Sequence, residues 1–312
     1  MPRPPRLSSR CPAALATASV LALISSAPIA AQTLDDGLMV RPRQIRLSVD
    51  YASESWSEYW EGGLRRSNEN VGTVTTQSTM LSLGVGVHRR VSLFATLPYI
   101  STNASAGVLS GMQGMQDLTA GIKARLFSVT PTPRTTLRAT ALVGGGIPTT
   151  RYTPDFLPMS IGLGARHARA RGALHLQDRS NFFADVSAGY QWRSNVSLDR
   201  PAYFTNGTLV SSNQVAMPDV RDAMFAVGYQ DARWCIPLAF VQQRTLGGGD
   251  IRRQDMPFIS NRMNFSRVQA HVMYTMSSLP LILNGGAMTT LAGRNVGKST
   301  MVTGGVTYLL RR

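Results

Sequence analysis

Residues 80–99, MLSLGVGVHRRVSLFATLPY, decide the fold. Successive side chains of a β-strand point to opposite faces, and here apolar residues such as Leu81 and Leu83 alternate with small or polar ones. A second alternating run follows, and only Arg89 and Arg90 separate the two. The stretch therefore predicts an antiparallel β-hairpin with a tight turn.

Similar alternating runs recur after residue 40, about twelve of them, and their connectors switch between short and long. Short connectors fall near residues 89–90, 178–181, 231–233 and 277–278, with a longer Pro-rich one at 128–134. Long connectors fall near residues 54–75, 102–115, 148–160, 194–220 and 246–263. This alternation is typical of an all-β, transmembrane, antiparallel up-and-down β-barrel. It predicts about twelve strands, with 10–14 possible.

The first residues predict export. Residues 1–31 have a basic start, an apolar centre at 13–24 that is too short to span a bilayer, and a small-residue end at Ala31. We expect cleavage after Ala31, which leaves residues 32–312 as a single barrel domain. Cys235 is then the only cysteine of the mature chain, so no intrachain disulfide is expected.

The net charge of the chain indicates which partners to expect. The formal net charge is +15, almost all of it from arginine. A basic chain raises the question of nucleic acid, but export and the lack of long basic runs after residue 32 argue against that partner. The expected partners are outer-membrane lipid and small solutes, and the expected location is the bacterial outer membrane.

The alternation alone does not say which face of each strand lies inside. Two features favour a membrane barrel over a secreted soluble β-protein. The runs are about 9–13 residues long, which matches a tilted transmembrane strand. Aromatic residues also end several apolar faces, as interfacial girdles do. They are Tyr51, Tyr99, Tyr190, Trp192, Tyr229, Trp234 and Tyr308.

In a membrane barrel the polar faces line the lumen. The charged and histidine residues predicted there are Arg46, Asp50, Lys123, Arg125, Arg138, Arg169, Arg171, Asp185, Arg193, Arg267 and His271. A narrow tube lined mainly by positive charge favours anions or solutes with partial negative charge. The alternative is an interior filled with side chains that pair with loop carboxylates and conduct little.

Other motifs give no site. Residues 292–299, AGRNVGKS, resemble a phosphate-binding loop, but the sequence after them alternates as a strand, so we expect a hairpin loop. No serine carries a nucleophile signature such as G-x-S-x-G, and no histidine pair has metal-ligand spacing on a helix. We expect no enzyme activity, no metal and no cofactor.

Three segments resemble a known family. They are residues 87–99 (VHRRVSLFATLPY), 111–127 (GMQGMQDLTAGIKARLF) and 144–150 (GGGIPTT). Together they resemble the outer-membrane transporter family associated with the meta-pathway of phenol degradation. The specific part of the likeness covers residues 80–165. It implies a barrel that passes small, hydrophobic or aromatic compounds, and it supplies no binding residue.

The chain departs from the pattern of that family. Gln116 stands where a glycine is usual before Asp117, Thr150 replaces an expected glycine, and the chain does not end on an aromatic residue. The sequence as a whole predicts a passive channel or transporter for small molecules that are hydrophobic, aromatic or anionic. A non-conducting structural or adhesive surface barrel and a lipid-modifying barrel enzyme are the alternatives.

Overall fold

A computed structural model describes residues 38–252 and 256–311. The predicted signal peptide, residues 1–31, lies outside the described residues. Among the described residues no helix is long and apolar enough to cross a membrane.

Twelve long antiparallel strands form the body of the molecule. They are β1 (Gln44–Trp56), β2 (Val74–His88), β3 (Val91–Ala104), β4 (Asp117–Thr132), β5 (Thr135–Pro148), β6 (His167–Asp178), β7 (Phe182–Arg193), β8 (Val220–Gln230), β9 (Trp234–Thr245), β10 (Asn264–Thr275), β11 (Leu281–Arg294) and β12 (Thr300–Arg311). Each pairs with its sequence neighbours, and β1 pairs with β12 as well as β2. The sheet is therefore a closed barrel, as predicted.

Connector length alternates around the barrel. One end carries short turns, such as residues 89–90 between β2 and β3, and the other carries loops as long as residues 194–219 between β7 and β8. In outer-membrane barrels the short turns are periplasmic and the long loops extracellular. The phosphate-loop-like segment is the predicted hairpin connection, since β11 and β12 pair on either side of residues 295–299.

The Pro-rich connector predicted at residues 128–134 is instead mostly strand. β4 runs to Thr132, which pairs with Thr135, and only residues 133–134 form the turn. Pro131 is tolerated because it lies at a register shift between Val129 and Thr132, where the ladder is already interrupted.

The outer face of the barrel is apolar. Exposed side chains on this face include Leu47, Val49, Leu81, Leu83, Ile122, Val143, Val186, Phe225, Leu238, Val272 and Val306. Exposed aromatic residues on the same face include Tyr51, Tyr99, Trp192, Trp234 and Tyr308. A soluble barrel would bury such residues in its interior. Their exposure all around the wall identifies a membrane barrel and places the chain in the bacterial outer membrane.

The extracellular loops have hydrophobic cores of their own. One cluster joins three loops and includes Val196, Tyr203 and Phe258. A second is centred on the fully buried Met159 and includes Val71 and Val74. The backbone carbonyl of Met159 also accepts a 2.6 Å hydrogen bond from the hydroxyl of Thr102 on β3. These contacts pack the loops into an ordered layer next to the extracellular mouth.

Candidate functional site: the barrel lumen

The lumen is lined by the residues that alternate with the lipid-facing ones. On β1, Val49 is 52% exposed on the outer face, whereas Arg46 is 6% exposed and lies on the inner face. The same period of two applies to the other strands, which pair in antiparallel register, except at register shifts such as the one between Ser266 and Arg267. The strand pattern therefore determines which polar groups can meet a solute.

All the predicted lumen residues lie on the inner face. In the periplasmic half these are Arg46, Lys123, Arg125, Arg138 and Asp185, and in the middle and extracellular half they are Asp50, His271, Arg169, Arg171, Arg193 and Arg267. The basic side chains outnumber the acidic ones in both halves.

The periplasmic half holds a basic cluster, which consists of Arg46, Lys123, Arg125 and Arg138. Arg46 and Lys123 are buried, and Arg125 and Arg138 are partly exposed and interact as like charges. The ammonium of Lys123 lies 5.0 Å from the centre of the Phe94 ring, a cation–π distance.

A second feature of the periplasmic half is a buried histidine–aspartate pair. The Nδ1 atom of His175 lies 2.8 Å from a carboxylate oxygen of Asp185, and both residues are almost fully buried. The Nε2 atom of His175 lies 3.3 Å from the amide oxygen of Gln177, and the imidazole stacks on Phe183. The pair ties β6 to β7 on the inner face of the barrel.

The chain before β1 enters the lumen from the periplasmic end. Leu38, Met39 and Val40 are buried there. The N–H of Val40 donates to the hydroxyl of Ser92 at 3.1 Å, and Lys123 donates to the carbonyl of Leu38 at 3.2 Å. This lumen segment, residues 38–42, therefore occupies part of the passage beside the basic cluster.

The segment can lie so close to the wall because two inward positions of β2 are glycines. A Cβ atom on Gly86 would overlap the backbone carbonyl of Arg41, and one on Gly84 would lie 3.2 Å from the Val40 side chain. The N–H of Arg43 donates to the carbonyl of Gly86 at 2.8 Å, which fixes the point where the segment joins β1.

An ion-pair network spans β6, β7 and β8 in the extracellular half. The guanidinium of Arg171 is paired with the carboxylate of Asp222 and donates a 2.8 Å hydrogen bond to the hydroxyl of Ser187. Gly189 makes room for the network, because a Cβ atom there would lie 2.9 Å from an Asp222 oxygen. These side chains thus connect three neighbouring strands on the inner face of the wall.

Similar contacts occur across β1, β10 and β11. Arg267 lies 3.4 Å from Glu54 and 4.0 Å from the centre of the Phe265 ring. In the middle of the lumen, Asn284 donates to Asp50 at 2.8 Å. Acidic residues of the wall thus partly compensate the arginines of the extracellular half.

Several lumen residues were not predicted. The inner faces of β1, β8 and β11 also carry Glu54, Asp222 and Asn284. For Asp222, the alternation with the outward Ala223 and Phe225 would have indicated its position on the inner face. No such signal existed for residues 38–42, which precede the first strand and have no periodic pattern.

The lumen offers little for catalysis or metal binding. His175 is held by an aspartate and a glutamine, not by a serine hydroxyl. Within residues 38–252 and 256–311, no group of three or more His, Cys, Asp or Glu side chains is placed to hold a metal ion.

Known structures share this architecture. The chain aligns with an outer membrane channel from Pseudomonas putida at a TM-score of 0.70 and 15% sequence identity, covering 90% of this chain and 100% of that one. It also aligns with the NanC porin at a TM-score of 0.46 and 10% identity, covering 84% of this chain and 98% of the porin. A third is the transport unit of the autotransporter AIDA-I from Escherichia coli (TM-score 0.45, 12% identity, 87% and 91% covered). No protein-family model and no curated protein matches the chain. The first of these likenesses supports the fold, a twelve-stranded outer-membrane barrel.

Proposed function

We propose that this barrel is a passive channel that lets small solutes cross the outer membrane and that it prefers anions. One observation carries the proposal: the wall is apolar toward lipid and lined with arginine and lysine toward the lumen. A non-conducting barrel is expected to pair its interior charges with carboxylates, whereas Arg125 and Arg138 interact as like charges.

The basic cluster supports the preference for anions. Arg125 and Arg138 are partly exposed to the lumen, and the two guanidinium groups interact as like charges. A narrow passage with low-dielectric walls concentrates the field of such charges and raises the local concentration of ions of opposite sign.

The lumen segment supports a size limit. Residues 38–42 take up part of the cross-section at the periplasmic end and are held there by Ser92 and Lys123. We therefore expect only small solutes to pass, and a variant that lacks residues 38–42 to admit larger ones.

The finer identity of the solute rests on the family resemblance of residues 80–165, which implies small hydrophobic or aromatic compounds. Combined with a basic lumen, it favours small aromatic carboxylates over neutral hydrocarbons. We infer no enzymatic role, since His175 has no serine partner, and we infer that residues 1–31 direct export and are removed.

Liposome swelling tests the proposal directly. Liposomes that contain the protein are placed in isotonic solutions of benzoate, glucose or a benzylammonium salt, and the swelling rate is followed by light scattering. We expect benzoate to enter faster than benzylammonium, which has a similar size and the opposite charge. Faster entry of benzylammonium would contradict the anion preference. Swelling no faster than in liposomes without protein, for every solute, would instead support a non-conducting surface barrel, provided that the variant lacking residues 38–42 gives the same result.

A further inference from the structure

Two arginines lie on the lipid-facing side of the wall, away from the lumen. Arg221 is at the extracellular end of β8, where its neighbours on the same face are Ala223 and Phe225. Arg244 is at the extracellular end of β9, on the face of Phe240. Both arginines are exposed. They break the apolar pattern of the outer wall on adjacent strands.

The two arginines are direct cross-strand partners in the register of β8 and β9. Side chains in such positions have Cβ atoms about 4.5–5.5 Å apart, and like charges there repel each other. No described residue supplies a carboxylate to either guanidinium. The nearby carboxylate of Asp219 accepts hydrogen bonds from the hydroxyl of Tyr190 and the N–H of Arg193 instead. An anion from outside the chain would therefore offset the repulsion between the two guanidinium groups.

The height of the pair on the barrel indicates which anion. Arg221 is level with Tyr190 on β7, whose ring lies 4.8 Å from that of Trp192. Such aromatic residues mark the level of the lipid headgroups. Four residues further into the membrane, about 13 Å along the strand, Phe225 and Phe240 form another cross-strand pair. Ala223 and Gln242 lie between the two pairs, and the apolar surface for acyl chains begins at Phe225 and Phe240.

We propose that Arg221 and Arg244 bind a phosphate group of a phosphorylated glycolipid of the outer leaflet. A phosphate has several acceptor oxygens and can accept paired hydrogen bonds from each of two guanidinium groups. The phosphate cancels the repulsion between the arginines while the acyl chains cover Phe225 and Phe240. The site is independent of solute passage, since it faces away from the lumen.

Native mass spectrometry of the purified protein tests the site. The protein in detergent is titrated with lipid A that carries two phosphates, and the bound fraction is compared with that of the double variant R221Q/R244Q. We expect the variant to bind at least about tenfold more weakly, because charge-assisted hydrogen bonds to both arginines are lost. The variant R221K/R244K keeps the charge without the planar fork and should bind with intermediate strength.

The matched control is R89Q/R90Q, which removes two charges from an exposed turn at the opposite end of the barrel. It should bind lipid A as the unchanged protein does. Equal binding by R221Q/R244Q, or equal loss in the control, would overturn the proposal. So would undiminished binding of lipid A from which both phosphates have been removed. Displacement by millimolar inorganic phosphate would identify a site for free anions, and equal binding of phosphatidylglycerol would rule out a preference for the outer-leaflet glycolipid.

Discussion

Neutralising Arg125 and Arg138 is expected to remove most of the anion preference of the channel. Both side chains are partly exposed to the lumen at the periplasmic end, and they interact as like charges. The double change R125Q/R138Q relieves that repulsion and keeps much of the side-chain volume. We therefore expect the variant to fold.

The magnitude follows from Coulomb's law. An anion about 6 Å from a guanidinium group gains about 0.7 kcal/mol at the dielectric constant of water, and about four times as much at an effective value of 20. Loss of two such charges lowers the affinity of the lumen for an anion by at least about 1.4 kcal/mol, which is about tenfold. The measurement needs low salt, because ions at 1 M screen charges beyond about 3 Å.

The assay is the reversal potential in a planar bilayer under a tenfold gradient of KCl. Perfect selectivity gives about 59 mV, and a tenfold preference for chloride gives about 40 mV. We expect the unchanged channel to show an anionic potential of that order and R125Q/R138Q to fall toward zero. The variant R89Q/R90Q, with the same charge change outside the lumen, should keep the original potential. A cationic potential in the unchanged protein, or an unchanged potential in R125Q/R138Q, would refute the reasoning.

Three further predictions concern stability. Asp222→Ala removes the carboxylate partner of the buried Arg171 and should lower the free energy of unfolding by about 3 kcal/mol or more, measured by urea titration in micelles. The hydrogen bonds of Arg294 lower the pKa of Asp250 to about 2, from an ordinary value of 3.8. Because the pKa of Asp250 is depressed in the folded protein, the stability that this pair gives to the loop at residues 246–263 is present above about pH 4 and is lost as the pH falls through 2. Hydrogen exchange of that loop should therefore accelerate over this pH range. The variant Asp250→Asn should show no such acceleration. Met159→Ala leaves a cavity in a fully buried position and should destabilise the loop layer by about 2–5 kcal/mol, seen as faster proteolysis of residues 149–166 with the strands intact.

The barrel was predictable because lipid-facing and lumen-facing residues alternate along each strand of a membrane barrel. Each strand must be apolar toward lipid and can be polar toward the lumen, so the period of two gives both the strand and the direction of its side chains. The same period predicts that Arg46, Lys123 and Arg171 face the lumen. The strand number, predicted as about twelve, also followed, since connectors of alternating short and long length separate the apolar/polar runs.

The alternation of apolar and polar residues is lost where a strand extends beyond the membrane. β2 begins at Val74, although the alternation indicates a strand only from residue 80. Above the membrane both faces are polar, so backbone pairing continues without a pattern in the side chains. The side-chain partners of the lumen residues were not predictable from the sequence for another reason. Arg171 and Asp222 meet across an intervening strand at Gly189, a contact that depends on the register of two ladders.

The lumen segment was not predictable either. Residues 38–42 are short and aperiodic, and their place in the barrel depends on small wall residues such as Gly84 and Gly86, together with the hydroxyl of Ser92. Such complementarity between distant parts of a chain is visible only in three dimensions.

Spin labels on neighbouring residues can distinguish the lipid-facing from the lumen-facing side of each strand. Single cysteines at Ser48 and Val49 of β1, and at Val302 and Thr303 of β12, are labelled in a Cys235→Ser background and reconstituted into bilayers. Oxygen, which partitions into lipid, should broaden the signal most at Val49 and Val302. A polar nickel complex should do so most at Ser48 and Thr303. The reverse order on both strands would show that the apolar faces point inward, and the account of a polar lumen would be wrong.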